Sequence, residues 1–437
     1  MLKFDIAILC RWLLPMNSSR EFTLENQLVG VVGSKIAYVG PQAGVSFVAK
    51  KTINGGHQVV MPGLVNGHGH LPMTLFRGLA DDLPFHDWLN GYILPLEAKF
   101  VAPDFVRAGT RLALLEGFLS GTTTVYDMYY YELDIAEVCE AAGVRALLGE
   151  TIFDYVAPDN KGKTGNDFKI VEAMVERYKN HELIRPCISP HAPYSCSDDT
   201  LRKVKTVAQK HSIPIGIHVS ETRGEVDESV KKFGLTPLAR LHSLGVLDNF
   251  VIAAHCVHLS EEEIALAARM KTSVIYNPES NMKLGAGVAP IPKLIKAGVA
   301  VGLGTDGAAS NNNLNMFGEM DSAAKLQKLG QGDNTAMTAE MALRMTTIEG
   351  ARALGLEKVT GSIEVGKCAD LLVIDTKFPH MNPLRNLASQ LVYSAQGNEV
   401  HTVLCHGKVV VENRVCLSLE QDAILDEAAF WLNKMGT

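Results

Sequence analysis

Two histidines separated by one glycine follow directly on an apolar run. The run Gln58–Val65 leads into Asn66–His70, which contains His68 and His70. On an extended strand, side chains at positions i and i+2 point to the same side, so these two imidazoles project from one face of one strand end. Imidazole nitrogens are common ligands of zinc and other divalent metals. The spacing therefore indicates part of a metal site; the alternative, from these residues alone, is a polar turn that contains two histidines.

The segment between residues 60 and 306 alternates apolar runs with stretches of helical period. A strand followed by a helix, repeated about eight times, favours a parallel (β/α)8 barrel over an open sheet. The expected strands are Gly63–His70, Thr122–Met128, Val144–Ile152, Ile184–His191, Pro214–Ser220, Phe250–Cys256, Ser273–Pro278 and Val299–Asp306. The clearest helices are predicted over Phe105–Leu119, Asp167–Tyr178, Asp198–His211, Glu225–Phe233 and Glu261–Met270, followed by Asn313–Lys328 and Ala336–Leu354.

Both ends of the chain have a different pattern, in which short alternating strands are separated by turn residues. We interpret the N-terminal strands as an antiparallel unit and expect the two ends to fold together into one small β-sandwich domain. The predicted domains are the N-terminal part of this sandwich over residues 1–60, the metal-dependent (β/α)8 TIM barrel over 61–364, and the C-terminal part with a final helix over 365–437. The expected end strands are Phe4–Leu9, Leu28–Val32, Lys35–Val39, Gln58–Val60, Leu371–Asp375, Thr402–His406 and Val409–Val415.

The composition is that of an ordinary globular protein, with 437 residues, 47% hydrophobic and 20% charged. A net charge of −7 gives no indication of a nucleic-acid or membrane partner and favours a small-molecule substrate. The 8 cysteines are scattered without a C-x-x-C pair, which is typical of reduced thiols in a cytoplasmic protein. Asp5 and Arg11 interrupt the only signal-like stretch, and no apolar run approaches the ~20 residues of a membrane span.

Polar residues end several of the other expected strands. In a barrel of this type, reactive groups lie at the C-terminal ends of the strands. His191, His218 and His255 end the fourth, fifth and sixth runs, and Asp306 ends the eighth. The chain contains 14 histidines, so one or two at strand ends would be unremarkable by chance, whereas five are not. The pattern predicts that these groups converge on one mouth of the barrel.

This arrangement resembles the amidohydrolase superfamily, and within it the 5′-methylthioadenosine/S-adenosylhomocysteine deaminase family. The resemblance covers nearly the whole chain and implies that one divalent metal is held, with Zn²⁺ expected and Fe²⁺ or Mn²⁺ as alternatives. Such a metal lowers the pKa of a bound water to about 7. No lysine ends the fourth run, where binuclear relatives carry one, which favours one metal per subunit. The implied ligands are His68, His70, His218 and Asp306; the similar phrases are Met61–His68, His218–Glu221, Asn277–Gly285, Gly304–Gly307 and Ala369–Asp375.

The resemblance also implies catalytic roles. Glu221 would move a proton between the attacking water and a ring nitrogen of the substrate, which it would contact. His255 would hydrogen-bond the attacking hydroxide and help Asp306 to orient it. Asp306 would serve both as a ligand and as a proton acceptor close to the substrate.

Three further residues correspond to substrate contacts. Glu97 would accept hydrogen bonds from the vicinal ribose hydroxyls, for which a carboxylate is well suited. His191 would lie near the purine and the ribose. Trp88, which we place in a loop after the first barrel strand, would cover the apolar sulfur side of the substrate.

The function that this resemblance implies is hydrolytic deamination of 5′-methylthioadenosine and/or S-adenosylhomocysteine to the inosine analogue and ammonia. Its partners would be the nucleoside and water, with no nucleic acid and no membrane, and relatives suggest a homo-oligomer. Deamination of guanine, another aminopurine or an aminotriazine, and hydrolytic dehalogenation, are alternatives on the same site. A metal-free scaffold protein is the alternative from another class. The sequence leaves open the preference among methylthioadenosine, S-adenosylhomocysteine and adenosine.

Overall fold

The structure, a computed structural model, describes residues 1–17, 21–160 and 166–436, and the side chains of all of these except 55–57, 85, 86 and 166. Within this part of the chain the strands form two eight-stranded sheets. The strands are β1 Leu2–Leu13, β2 Leu24–Val32, β3 Lys35–Pro41, β4 Phe47–Pro62, β5 Leu64–Gly69, β6 Thr122–Tyr129, β7 Arg145–Ile152, β8 Ile184–Pro190, β9 Ile215–Val219, β10 Val251–His255, β11 Ser273–Tyr276, β12 Val301–Leu303, β13 Leu371–Asp375, β14 Val400–Cys405, β15 Lys408–Glu412 and β16 Val415–Cys416.

Strands β5 to β12 form the predicted barrel, and the (β/α)8 fold class is confirmed. They are parallel and follow one another in chain order around the sheet. Every described residue of β6, β7 and β9 is buried, as expected for strands that are covered on both faces. The sheet is nearly closed, because a parallel bridge joins Gly69, the last residue of β5, to Asp306 beyond β12.

Side chains and close backbone packing hold the seam of the barrel between β5 and β12. The amide of Asn66 donates to Thr305 Oγ1 at 2.8 Å and accepts from the Thr305 backbone N–H at 3.0 Å. A Cβ on Gly304 would lie 2.7 Å from the backbone nitrogen of His68, so only glycine permits this approach. The seam therefore brings the end of the first barrel strand against the end of the eighth.

Helices alternate with the barrel strands and cover them. The helices predicted over Asp198–His211 and Glu261–Met270 have these same bounds in the structure, and the side chains of Ser197 and Ser260 cap them. The single helix predicted over Ala336–Leu354 is wrong, since the chain breaks at Thr347 into two helices. The helices are α1 Phe85–Trp88, α2 Leu94–Phe100, α3 Pro103–Leu119, α4 Glu132–Ala142, α5 Asn166–Tyr178, α6 Asp198–His211, α7 Arg223–Phe233, α8 Pro237–Ser243, α9 Glu261–Met270, α10 Pro278–Lys283, α11 Ile291–Lys296, α12 Ala308–Asn311, α13 Met316–Gln331, α14 Ala339–Met345, α15 Ile348–Ala353, α16 Leu387–Tyr393 and α17 Gln421–Met435.

The remaining eight strands come from both chain ends and form one separate sheet, in the order β16-β15-β14-β13-β4-β1-β2-β3. The interpretation of the N-terminal strands as wholly antiparallel is wrong, because β1 pairs with β4 in parallel. The reason is that β3 lies at the sheet edge and the chain crosses back, placing β4 between β1 and β13. The residue limits of the three predicted domain segments stay predictions. In the described part of the chain, no helix combines the length and apolar character that crossing a membrane requires.

Candidate active site

Three of the histidines and the aspartate that end barrel strands meet at the C-terminal mouth. One potential ligand atom from each of His68, His70, His218 and Asp306 lies within 4.8 Å of all the others. His70 Nε2 is 3.1 Å from Asp306 Oδ1, and His68 Nε2 is 3.4 Å from the same oxygen. The structure thus brings together the four residues that the sequence predicts as metal ligands; their role as ligands stays a prediction.

The outer nitrogens of two of these imidazoles are fixed by backbone carbonyls. His70 Nδ1 lies 2.6 Å from the Met128 carbonyl oxygen, and His218 Nδ1 lies 2.7 Å from the His191 carbonyl oxygen. Metal-binding histidines commonly donate their second ring N–H to such a group, which sets the tautomer and directs the other nitrogen inward. This arrangement presents Nε2 of His70 and His218 to the space they share with Asp306.

His68 supplies the observation that tests whether this group fits a metal. It is fully buried, and neither of its ring nitrogens has a hydrogen-bond partner among the described residues. Buried polar atoms are normally paired, so an inward nitrogen without a partner fits a site that takes a cation. Burial lowers the pKa of His68 to about 4 and that of His218 well below its usual range. Both imidazoles are therefore neutral at pH 7, as metal ligands must be.

Glu221 and His255 flank this group. Glu221 lies two residues beyond β9, and burial together with the nearby charge of Asp306 raises its pKa to about 8. Glu221 Oε2 is 3.8 Å from His255 Nε2. Burial lowers the pKa of His255 to about 4, which keeps this ring uncharged at neutral pH. At pH 7 the site therefore combines a protonated carboxylic acid with a neutral imidazole.

The backbone at this mouth is unusual. Ser220, His255 and Asp306 have φ values of 51°, 68° and 62°, in the left-handed region that few residues other than glycine adopt. Such conformations cost free energy and cluster at functional sites, where the surrounding structure imposes them. They turn the chain sharply at the strand ends, where His255 and Asp306 join the other side chains of the mouth.

A cleft of about 720 Å³, part of it open to solvent, is lined by three of the predicted ligands, His70, His218 and Asp306. Glu97, on α2, lies in the same cleft and is only 5% exposed. Burial raises its pKa to about 7, although Tyr129 Oη donates a hydrogen bond to Glu97 Oε1 at 2.6 Å. The other lining residues are Met73, Trp88, Leu89, Ile93, Leu94, Met128, Tyr129, Tyr130, Thr151, Phe153, His191, Tyr194, Glu221, His255, Leu284 and Ser310.

The two other predicted substrate contacts also line this cleft. His191 follows β8 and stacks on Phe153 with ring centroids 4.6 Å apart. Trp88 is buried, but its predicted position in a loop is wrong, since it ends the short helix α1 and is followed by a π-helical turn over Leu89–Ile93. That segment has no clear apolar periodicity, which explains the error. Whether these side chains touch a substrate stays a prediction.

Sequence reasoning missed the aromatic residues around Glu97 and His191. Tyr129 and Tyr130 stand just beyond the predicted end of the second barrel strand, and Phe153 stands one residue beyond the third. Strand-end position was the signal that identified the histidines, and it applies to these residues equally. Aromatic residues at strand ends are usually packing residues, so position alone does not single them out.

The chain is similar to known deaminases over nearly its whole length. The model of the amidohydrolase family matches residues 59–410. A 5-methylthioadenosine/S-adenosylhomocysteine deaminase from Syntrophobacter fumaroxidans is 45% identical over 404 residues, 92% of each chain. A 5′-deoxyadenosine deaminase from Methanosphaera stadtmanae is 42% identical over 86% of this chain and 88% of its own. The crystal structure of an adenosine deaminase from Xanthomonas campestris with bound zinc covers 99% of both chains, with a TM-score of 0.97 and 38% identity.

Proposed function

The chain belongs to the amidohydrolase family and is a deaminase, and we propose that it hydrolyses the amino group of adenine in nucleosides of the 5′-methylthioadenosine and S-adenosylhomocysteine type. The products would be the inosine analogue and ammonia. One observation carries the proposal. A group of three imidazoles and a carboxylate lies beside the partly buried acid Glu221, in a cleft that also contains the buried carboxyl of Glu97.

We propose one metal per subunit, with Zn²⁺ as the native ion, held by His68, His70, His218 and Asp306. The zinc in the similar Xanthomonas structure and the chemistry of three nitrogens and one carboxylate oxygen support this choice. A bound zinc ion supplies a Lewis acid that makes water nucleophilic at neutral pH.

The side chains around this group can manage the protons of the reaction. Water adds to the ring carbon that bears the amino group, and negative charge develops on the adjacent ring nitrogen. Glu221, protonated at neutral pH, donates its proton to that nitrogen. His255, which lies beside Glu221, would stabilise the attacking oxygen by a hydrogen bond. One proton of the attacking water then passes to the amino group and the other returns to the Glu221 carboxylate; the carbon–nitrogen bond breaks, and ammonia leaves while the ring carbon becomes a carbonyl.

The substrate would place its ribose at Glu97 and His191. A carboxylate can accept hydrogen bonds from both vicinal hydroxyls at once. Aromatic rings flank both residues: Tyr129 bonds Glu97, and Phe153 stacks on His191. Among the described residues the cleft lining includes no lysine or arginine. These surroundings suit a small uncharged 5′ substituent such as a methylthio group, since sulfur makes favourable contacts with aromatic rings.

The test is an ammonia-release assay of the purified chain with adenosine, methylthioadenosine, S-adenosylhomocysteine, guanine and melamine, with and without added Zn²⁺. We expect turnover of the adenine nucleosides only, dependent on metal, with the highest kcat/KM for methylthioadenosine. Faster turnover of guanine or melamine than of any nucleoside would contradict the proposal.

We place the protein in the cytoplasm, which its eight free cysteines support, and its assembly as a homo-oligomer is a further prediction.

A further inference from the structure

The turn that follows the seventh barrel strand contacts two residues of the proposed active site, His255 and Asp306. It consists of Asn277, the N-cap residue of α10, and the first four residues of that helix, Pro278, Glu279, Ser280 and Asn281. The sequence marks this segment only as part of a resemblance, with no role. The side chains of Asn277, Ser280 and Asn281 are all 0% exposed, and each has a polar group that reaches a residue of the proposed catalytic site.

Two of these side chains converge on one atom of His255. Asn281 Nδ2 lies 2.9 Å from His255 Nδ1, and Asn277 Nδ2 lies 3.3 Å from it. With both amides oriented so that their nitrogens face the ring, Nδ1 is the acceptor and carries no hydrogen; this orientation is the premise of the inference. The single hydrogen of the neutral ring is then on Nε2, the atom that lies 3.8 Å from Glu221 Oε2.

The amide oxygens indicate that packing alone does not explain the two asparagines. Neither Asn277 Oδ1 nor Asn281 Oδ1 has a hydrogen-bond partner among the described residues. A buried polar atom without a partner is destabilising, and a native structure retains one where another requirement outweighs the cost. A pair of N–H donors directed at His255 would be such a requirement.

Ser280, from the same turn, acts on Asp306. Its hydroxyl donates to Asp306 Oδ2 at 2.6 Å, and the hydroxyl of Ser310 donates to the same oxygen at 2.8 Å. The two donors occupy one side of the carboxylate. Oδ1, the other oxygen, therefore faces His70 and His68 at 3.1 and 3.4 Å.

We propose that the turn Asn277–Asn281 is the positioning element of the active site. It fixes the Nε2–H tautomer of His255, so that this residue donates a hydrogen bond to the reacting oxygen and does not accept a proton there, and it directs Asp306 Oδ1 to the metal. The inference rests on the proposed roles of His255 and Asp306 in deamination. It assigns the three side chains a function as positioning residues, because none of them touches the reacting atoms.

The tautomer of His255 can be read directly by ¹⁵N NMR of the full chain, zinc-loaded and labelled at histidine, with the His255→Gln spectrum as the assignment reference. We expect a bare, pyridine-like Nδ1 and a protonated, pyrrole-like Nε2. A hydrogen on Nδ1 would mean that the two amides are turned with their oxygens to the ring, and it would overturn the proposal. This measurement needs neither a substrate nor a variant of the turn, so its outcome is separate from that of the proposed function.

Variants of the turn separate positioning from packing. Asn281→Asp offers only acceptor oxygens, so the hydrogen should move to Nδ1, with kcat lower by about 10- to 100-fold and KM little changed. Ser280→Ala should weaken zinc binding by about 10- to 100-fold in competition with a chelator, with the His255 tautomer unchanged.

Ser322→Ala is the matched control, because Ser322 donates to Glu279 of the same turn at 2.9 Å and contacts neither His255 nor Asp306. It should leave the tautomer, zinc affinity and kcat as they are. The proposal is wrong if Asn281→Asp leaves the tautomer in place, or if Ser280→Ala changes zinc affinity no more than the control does. Thermal midpoints of all variants identify any that fail to fold, and the spectrum of the unaltered protein still decides the claim about His255.

Discussion

The two ends of the barrel both bury ionisable side chains, but they do so in opposite ways. At the N-terminal end, Arg145 opens β7 and pairs with Asp370, Nε to Oδ2 at 3.0 Å, while the Asp370 carboxylate also accepts the backbone N–H of His406. The charges of this junction balance within the protein. At the C-terminal mouth, His68 and its partners direct nitrogen lone pairs and a carboxylate oxygen at one another. Although burial opposes it, the hydrogen bond to Asp306 raises the pKa of His70 to about 9, so a bound cation would displace a proton there; we propose that one end of the barrel serves stability and the other serves chemistry.

The backbone conformation at the strand ends also differs between the two ends of the barrel. Thr122, Arg145 and Ile184, the first residues of three barrel strands, have ordinary φ values, whereas Ser220, His255 and Asp306 at the other end are left-handed. Left-handed backbone also occurs elsewhere, as at His406 beside Asp370, where φ is 50°, so the contrast holds for the ends of the barrel strands themselves. Substitutions at either end of the barrel should show this difference, with loss of activity at the mouth and loss of stability at the opposite end.

The largest effect is expected from the loss of a ligand at the mouth. His218→Ala should bind much less than one zinc per chain and lose at least about 10³-fold in kcat/KM, since a catalytic metal supplies several kcal/mol of transition-state stabilisation. Metal analysis and the ammonia assay measure the two effects. A variant that retained both zinc and activity would remove His218 from the centre.

Removal of the acid should be almost as severe while sparing the metal. Glu221→Gln keeps the size of the side chain but cannot give up a proton, so kcat should fall by about 10²- to 10⁴-fold with zinc content unchanged. Single-turnover kinetics with methylthioadenosine measure the loss. Less than a tenfold decrease would show that another group supplies the proton.

The opposite end should respond in stability and not in chemistry. Asp370→Ala leaves the Arg145 guanidinium buried without its partner and should lower the free energy of unfolding by about 3–5 kcal/mol. Urea denaturation measures this, and kcat at a temperature where the variant is folded should stay near that of the unaltered chain. Glu349→Ala, which breaks the more exposed pair with Arg352, is the control and should cost no more than about 1 kcal/mol. Equal effects in the two variants would contradict the structural role of the junction.

The ribose contact should show a smaller, substrate-dependent effect. Glu97→Ala removes an acceptor of charge-assisted hydrogen bonds, each typically worth about 1.5–3 kcal/mol, so kcat/KM for methylthioadenosine should fall about 10- to 100-fold. Any slow deamination of free adenine should be spared, because that substrate has no ribose. Equal losses on nucleoside and free base would count against this role.

The pH dependence should give the smallest change and connects both carboxyl groups. Burial raises the pKa of Glu221 to about 8, so its acid form is lost as the pH rises through 8 and kcat/KM should then decline. Burial raises the pKa of Glu97 to about 7, so the carboxylate that accepts ribose hydroxyls is lost as the pH falls below 7. The expected profile has a maximum between these values. Constant activity up to pH 10 would exclude a protonated Glu221 as the donor, and Glu97→Gln should flatten the acidic limb alone.

Much of this architecture could be predicted because the barrel strands are buried on both faces. The end of each continuous apolar run predicts the end of a strand, so the sequence alone places His70, His218, His255 and Asp306 at one mouth of the barrel. The helices were equally legible where polar caps such as Ser260 mark their starts. Each of these features is determined by a short segment of the chain, so it can be predicted from that segment alone.

What could not be predicted depends on partners far apart in the chain. The parallel pairing of β1 with β4 is set by the order of strands from both ends, which no alternation pattern within β1 reveals. Asn277 and Asn281 contact His255 at the end of the neighbouring strand, but asparagine is common in turns, so its presence there does not predict this contact. The helix that ends at Trp88 could not be predicted either, since the short segment around it has no clear apolar period.

We propose that a single divalent cation joins His68, His70, His218 and Asp306. Diffraction from crystals of the zinc-loaded protein, recorded at the zinc absorption edge, tests it most directly. We predict one anomalous peak per chain, about 2.0–2.2 Å from a nitrogen of each of the three histidines and from an oxygen of Asp306. A peak that excludes His218 or Asp306, or a crystal with full deaminase activity and no peak at the mouth, would contradict the account.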